Sequence, residues 1–186
     1  MEDSKIIDLY WQRSEIAISE TDEKYGPYCH SISCNILHSK EDAEECVNDT
    51  YLKAWNSMPT QRPNCLMAFL GKISRNLSLD RYRKNHAQKR GEGETELVLT
   101  ELEDCLSTSE SVEETVEGKL LEDCINHFLS ELPRQKRNVF VCRYWYLYPV
   151  SEIAKRYGIS EGTVTNTLFR LRKKLQSYLE MEGIKD

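Results

Sequence analysis

The stretch SEGTVTNTLFRLRKKL, residues 160–175, carries side chains suited to reading nucleic-acid bases. At the helical advance of about 100° per residue, Gly162, Asn166, Phe169, Arg170 and Lys173 share one side, flanked by Thr163 and Thr165. Asn and Arg bond base edges in a major groove, and Phe or Thr meets a thymine methyl. Arg172 and Lys174 stand at the margins, where phosphates would lie, and Val164, Leu168, Leu171 and Leu175 form the opposite, apolar stripe. A merely solvated face has little use for Phe169. The chemistry expected here is therefore non-covalent: recognition of duplex DNA, with cover by a partner protein as the alternative for Phe169.

A second basic segment, NCLMAFLGKISRNLSLDRYRKNHAQKR, spans residues 64–90. Leu66, Phe69, Leu70, Ile73, Leu77 and Leu79 suggest its buried side, and Lys72, Arg75, Asn76, Arg81, Arg83 and Lys84 crowd the rest with Tyr82 among them. Cations interleaved with an aromatic suit a nucleic-acid backbone with unpaired bases stacked nearby. Asp80 inside this patch is expected to pair with Arg83 or Lys84. Upstream, HSKEDAEECVNDTYLKAWNSMP has a capping Ser39 and early carboxylates that complement a helix dipole. Ala43, Cys46, Val47, Thr50, Tyr51, Ala54 and Trp55 form its apolar stripe, with Glu45, Asn48, Asp49 and Leu52 together off that stripe. By itself such a strip is either solvated or a docking surface for a basic partner.

Covalent chemistry has weaker candidates. Asp42, Glu44 and Glu45 cluster at one helix start without a partner cluster, short of what metal-assisted catalysis needs. Cys29, His30, Cys34 and His38 invite a metal reading, yet on one helix Cys29 and Cys34 point in different directions. The seven cysteines are odd in number and include no C-x-x-C pair, so reduced and mostly buried thiols are expected. No catalytic residue, metal site or cofactor is expected.

The segment LPRQKRNVFVCRYWYLYPVSEIAKRYGISEGTVTNTLFRLRKKL, residues 132–175, parses into helices. Pro133 suits the first turn of a helix reaching about Trp145, and Ser151 is placed to cap a short helix from Glu152 to Tyr157. Gly158 supplies the positive φ of a tight corner, Ile159 fills that corner, and Ser160 caps the last helix. Two helices that cross closely want a small residue on the first, a glycine in the turn and a β-branched residue on the second; Ala154, Gly158 and Val164 meet these offsets, so a helix-turn-helix is expected.

Charge divides the chain further. The net charge is −6, but residues 61–90 hold 8 basic and 1 acidic residue, residues 91–118 hold 10 acidic and none basic, and residues 119–186 hold 12 basic and 8 acidic. Like charges at the density of 91–118 extend a chain. The expected architecture is all-α: one small helical domain over 1–90, an acidic flexible linker over 91–118, whose run Leu97–Leu99 with Leu102 could dock or form a brief helix, and a second domain over 119–186. The N-terminal MEDSKIIDLYWQRSE lacks the basic start and apolar middle of a secretory signal, and no apolar run approaches the roughly 18 residues of a membrane span. A cytoplasmic location without membrane insertion is expected. From the residues alone, an autonomous helix-turn-helix regulator competes with an enzyme acting on nucleic acid.

The two motifs in this order resolve that competition by resemblance. DAEECVNDTYLKAW followed by FLGKISRNLSLDRYR resembles region 2 of bacterial RNA polymerase sigma factors, and residues 132–175 resemble region 4. With only a short linker between them, the chain resembles the extracytoplasmic-function, or group IV, subfamily of the sigma-70 family. The resemblance implies an initiation factor without catalysis of its own, whose partners are core RNA polymerase through its β′ clamp helices and β flap, promoter DNA, and an anti-sigma protein. It implies that Glu45, Asn48 and Asp49 dock on the clamp helices, although relatives more often carry Gln and Glu at the last two positions. Arg75, Asn76, Arg81, Arg83 and Lys84 would melt and bind the −10 element, with base capture in the loop 57–65. Thr163, Thr165, Asn166, Phe169, Arg170 and Lys173 would read the −35 element, and the acidic linker would run near the RNA exit path.

Overall fold

Glycine and serine form the seam at the centre of the N-terminal half, where larger side chains would hold helices apart. The computed structural model describes residues 1–86, 94–106 and 116–183. Regular structure among them is entirely helical, as expected: α1 (Asp3–Trp11), α2 (Ile16–Leu37), α3 (Lys40–Ser57), α4 (Leu66–His86), α5 (Glu94–Leu106), α6 (Val116–Glu131), α7 (Arg134–Tyr144), α8 (Val150–Tyr157) and α9 (Glu161–Met181). The chain divides into two compact units, Met1–Arg90 and Gly91–Asp186. No helix among the described residues is long and apolar enough to cross a membrane.

In the first unit α2, α3 and α4 pack on one another and α1 lies on α2. Tyr10, Ala17, Cys29, Tyr51, Ala54, Met58, Leu66 and Leu70 are core residues. Between α2 and α4 the core turns polar: Ser33, Ser74 and Ser78 are fully buried. Ser78 donates to Ser33 Oγ at 2.9 Å and to the Ser74 carbonyl at 2.8 Å, and Ser74 donates to the Cys29 carbonyl at 3.2 Å. Small hydroxyls that satisfy one another let two helices approach closely without an unpaired polar group. One turn earlier, Gly71 faces the Tyr28 ring, and a Cβ there would stand 2.4 Å from the hydroxyl.

This seam corrects the sequence-derived face of α4. Its buried stripe runs through Leu66, Leu70, Gly71, Ser74, Ser78 and Tyr82, whereas Phe69 and Leu77 are only half-buried. Tyr82 is 5% exposed and belongs to the core, not to the basic surface. The serines disguised the stripe by looking like surface residues. Helix α2, the centre of the bundle, has a similar disguise: Pro27 lies inside it and Thr21 is buried, donating to the Ala17 carbonyl. An internal proline forfeits one helical hydrogen bond, yet α2 continues because α3 and α4 pack against it.

In the second unit α8 and α9 form the expected helix pair. Gly158 has φ +63°, and the Ile159 amide donates to the Ala154 carbonyl at 3.1 Å, closing the turn. Ala154 and Val164 are buried at the crossing. Ser160 caps α9 by accepting from the Thr163 amide at 3.1 Å. Helix α8 starts at Val150, earlier than expected, with Pro149 at the cap and Ser151 exposed inside the first turn. Pro149 already holds an N-cap conformation (φ −56°, ψ 149°), so no side-chain cap is needed.

Within the linker expected over 91–118, the run Leu97–Leu99 with Leu102 lies on a brief docked helix, an outcome expected for it. Residues Glu94–Leu106 form α5, which packs on α7 and α9, with Val98 1% exposed. One buried apolar residue and an ion pair, described below, outweigh the repulsion among its carboxylates. Of the linker, 91–93 and 107–115 lie outside the described residues, as do 87–90 before it.

Replacing Gly71 by alanine tests the seam. Helix propensity alone favours alanine by roughly 1 kcal/mol, but overpacking against Tyr28 costs about 1–3 kcal/mol. A lowered denaturant midpoint is expected; a raised midpoint would show that α2 and α4 have room to spare.

Candidate nucleic-acid interface

Helix α9 is held by its apolar side and presents the other. Val164, Leu168, Leu171, Leu175 and Leu179 are buried, and Asn166, Phe169, Arg170 and Lys173 are exposed. Phe169 is 53% exposed, a large apolar side chain on the open side of the helix. Thr163 shares a 2.8 Å bond with the Ser160 hydroxyl, and Thr165 donates to the Glu161 carbonyl at 3.0 Å. Both threonines are exposed, but their hydroxyls are partly engaged in stabilising the first turn. A hollow of about 170 Å³ opens beside Arg170, between α9 and the start of α7, with Lys136, Thr167 and Lys174 on its walls. Three cations around one hollow suit a backbone phosphate. Sequence reading missed Lys136 because it lies on another helix.

Arg172 does not stand at a margin open to phosphate. Its Nη1 donates to Glu101 Oε2 at 3.0 Å and to the Tyr144 hydroxyl at 2.6 Å, while Tyr144 donates to the same carboxylate at 3.1 Å. Burial raises the Tyr144 pKa, keeping its hydroxyl protonated as a donor. Arg143, 2% exposed, brings its Nε to 4.0 Å from Glu101 and donates to the Tyr148 carbonyl at 3.1 Å. Glu101 thus joins α5 to α7 and α9 through one carboxylate.

In the first unit the acidic strip is as expected in position: Glu45, Asn48, Asp49 and Leu52 are all exposed on α3. On α4, Asn76, Arg83 and Lys84 are exposed, Arg75 is partly buried, and burial together with nearby Arg83 lowers the Arg75 pKa. Arg83 pairs with Asp80 at 3.7 Å, one of the two partners expected. Arg81 turns towards α3 instead of outward: its Nη2 lies 2.5 Å from Glu45 Oε1, and its Nη1 donates to the Asp42 carbonyl at 3.2 Å. Two candidate surfaces that the sequence kept separate therefore meet in one ion pair.

Two arginine–tryptophan contacts tie α1 and the turn after it to α3 and to the loop that follows α3. Arg62 pairs with Asp8 on α1 and lies over the Trp11 ring at 5.8 Å. Arg13, just after α1, donates to the Trp55 carbonyl at 2.6 Å and covers the Trp55 ring at 4.2 Å. Fully buried Met58 ties the loop to the core. These contacts escaped the sequence because they join residues more than 40 positions apart.

Of the described cysteines, Cys29, Cys46, Cys124 and Cys142 are buried and pack as apolar groups, Cys34 is half-buried and Cys65 is exposed. Burial pushes the Cys29 pKa up to about 12, so it stays protonated. Cys34 Sγ lies 3.5 Å from His30 Nδ1, one turn away on α2. The described residues hold no group of three metal-ligating side chains.

Known proteins show the same order of motifs. The family model described as Sigma-70 region 2 matches residues 22–88, and that described as Sigma-70, region 4 matches residues 122–175. Together they take in about two-thirds of the chain. The ECF RNA polymerase sigma factor SigE of Mycolicibacterium smegmatis is 24% identical over 150 residues, 81% of this chain but 56% of that protein. SigM of Bacillus subtilis, also an ECF RNA polymerase sigma factor, is 22% identical over 170 residues, 89% of this chain and 98% of that protein. The chain thus spans just over half the length of the first relative and nearly all of the second. The solved structure of CnrH in complex with the cytosolic domain of CnrY aligns over 96% of this chain and 97% of that one, at 18% identity and a TM-score of 0.44.

Glu101→Gln should release α5, because a neutral amide replaces the carboxylate shared by Arg172 and Tyr144. Hydrogen bonds to charged groups are worth about 1.5–3 kcal/mol. Amide exchange across 94–103 should accelerate by at least tenfold while that of α9 changes little; unchanged protection in α5 would show that Val98 alone holds the helix.

Proposed function

The chain belongs to the extracytoplasmic-function group of the sigma-70 family of RNA polymerase sigma factors, and from that membership we propose that it binds core RNA polymerase and directs it to promoters by recognising −35 and −10 elements. The observation that carries this reading is the pairing of two separate units in order: an acidic strip beside a basic helix, then a capped helix-turn-helix with an exposed Phe169 and Arg170. A sigma factor has no catalysis of its own; the polymerase supplies the nucleotide chemistry, and sigma supplies sequence choice.

In this reading α9 lies in the major groove of the −35 element. Asn166 and Arg170 bond base edges, and Phe169 meets a thymine methyl. Thr163 and Thr165 flank them, and Lys173 and Lys174, with Lys136 beyond the earlier candidates, take phosphates. Glu45, Asn48 and Asp49 face the β′ clamp helices. Arg75, Asn76, Arg83 and Lys84 track the melted −10 strand, and Arg81 joins them once it leaves α3. The loop 57–65, pinned by Arg62 and Met58, offers a pre-shaped edge for an unpaired base. The β flap holds the second unit, and an anti-sigma protein is a further partner on family grounds alone.

The charge distribution supports division of labour. A net charge of −6 opposes non-specific DNA binding by the free factor, and the polymerase then supplies much of the affinity.

The decisive experiment mixes the purified protein with sigma-free core polymerase of the source bacterium and measures co-elution and promoter-dependent initiation on genomic fragments. Specific start sites are expected. Binding to duplex sites without core would transfer the protein to the autonomous regulators. Within an active system, Arg170→Ala should cost about 1–3 kcal/mol at the preferred promoter; equal loss on every sequence would reduce Arg170 to a phosphate contact. Asn48→Ala combined with Asp49→Ala should weaken core binding with the melting temperature unchanged, and normal core affinity would remove the strip from the docking surface.

A further inference from the structure

Glu45 and Arg81 serve different ligands in the function proposed above, yet in the free factor they serve each other. Arg81 Nη2 lies 2.5 Å from Glu45 Oε1, and its Nη1 reaches both the carbonyl and, at 3.5 Å, the carboxylate of Asp42. One guanidinium therefore bridges two turns of α3 from its seat on α4. The Arg81 side chain is 23% exposed and that of Glu45 62%. The cation is laid against α3, while the carboxylate remains open to an approaching partner. Their bond lowers the Glu45 pKa and raises that of Arg81, so both groups are charged at neutral pH. Arg83, two residues on, is different: it is 67% exposed and its pair with Asp80 is longer.

Competition follows from this geometry. A basic side chain of polymerase arriving at Glu45 contends with Arg81 for one carboxylate. A phosphate arriving at Arg81 contends with Glu45 for one guanidinium. We propose that Arg81 couples polymerase docking to promoter engagement: the Arg81–Glu45 pair satisfies both surfaces in the free factor, and each ligand releases the residue that the other uses. The coupling rests on the assignment of the α3 strip to polymerase. By linkage it is reciprocal, so polymerase strengthens DNA contact by the same factor as DNA strengthens polymerase contact. Its size is that of an exposed ion pair, about two- to fivefold in affinity. The pair adds a local restraint to the general effect of net charge: a cation of the −10 helix stays engaged until core arrives.

The test reads core polymerase affinity in the absence of DNA, by fluorescence titration of the full-length factor. Arg81→Ala should tighten binding about two- to fivefold, because Glu45 loses its internal competitor. The same substitution in a Glu45→Gln background should produce no such gain. Lys72→Gln, which removes one charge from α4 away from this pair, measures the effect of charge alone. The coupling is overturned if Arg81→Ala leaves affinity unchanged or weakens it, if the gain persists with Glu45→Gln, or if Lys72→Gln reproduces it. The Asn48→Ala and Asp49→Ala double variant separates the two ideas. Weakened docking there with no effect of Arg81→Ala sinks the coupling alone. Normal docking sinks the strip assignment and the coupling with it.

Discussion

Close approach of α2 and α4 is the constraint on which the first unit depends. Ser33, Ser74 and Ser78 bond one another in a space that larger side chains would have widened, and Gly71 lets the Tyr28 ring lie against the helix. With α4 held at this distance, its far side meets α3, which packs against both helices. That contact puts Arg81 beside Glu45 and Asp42. A wider seam would separate the basic helix from the acidic strip and leave them as two independent charged faces. Buried polar groups of this kind are costly unless fully satisfied; here each hydroxyl has a partner, so the seam specifies geometry as well as permitting it.

The second unit solves a different problem with the same economy of contacts. A reading helix must be rigid on one side and open on the other. Helix α9 reaches this through five buried residues, from Val164 to Leu179, and a side-chain cap at Ser160. Its C-terminal half is further braced by Glu101, which engages Arg172 and Tyr144 from α5. The acidic segment thus does more than connect: its folded part engages Arg172 within the unit.

Ion pairing distributes the basic residues into two groups. Arg62, Arg81, Arg83 and Arg172 are bonded to carboxylates within their own units. Arg170, Lys173 and Lys174 lie on the surface of α9, with Lys136 opposite on α7. The exposed pairs Arg62–Asp8 and Arg83–Asp80 contribute little stability each, whereas the side chains of Arg81 and Arg172 are largely covered. In the proposed function this pairing sets which cations meet DNA first.

Local order was legible in the residues themselves. The stripe from Val164 to Leu175, the caps at Ser39 and Ser160, the turn at Gly158 and the exposed face around Phe169 all follow from spacing within one helix, where geometry repeats every few residues. Tertiary packing decided what spacing could not express. Tyr82 looked like part of a basic surface because the serines that continue its stripe look like surface residues, and only contact with α2 buries them. Segment 94–106 combines repelling carboxylates with a short apolar run that could dock or form a helix, and burial of Val98 with the contacts of Glu101 to Arg172 and Tyr144 decides for the docked helix. Arg81 looked like one more cation of a basic run, whereas in the free factor its partners come from α3, some 40 residues earlier. Periodicity carries information about a helix and its two faces; the identity of what meets each face belongs to residues far away in the chain.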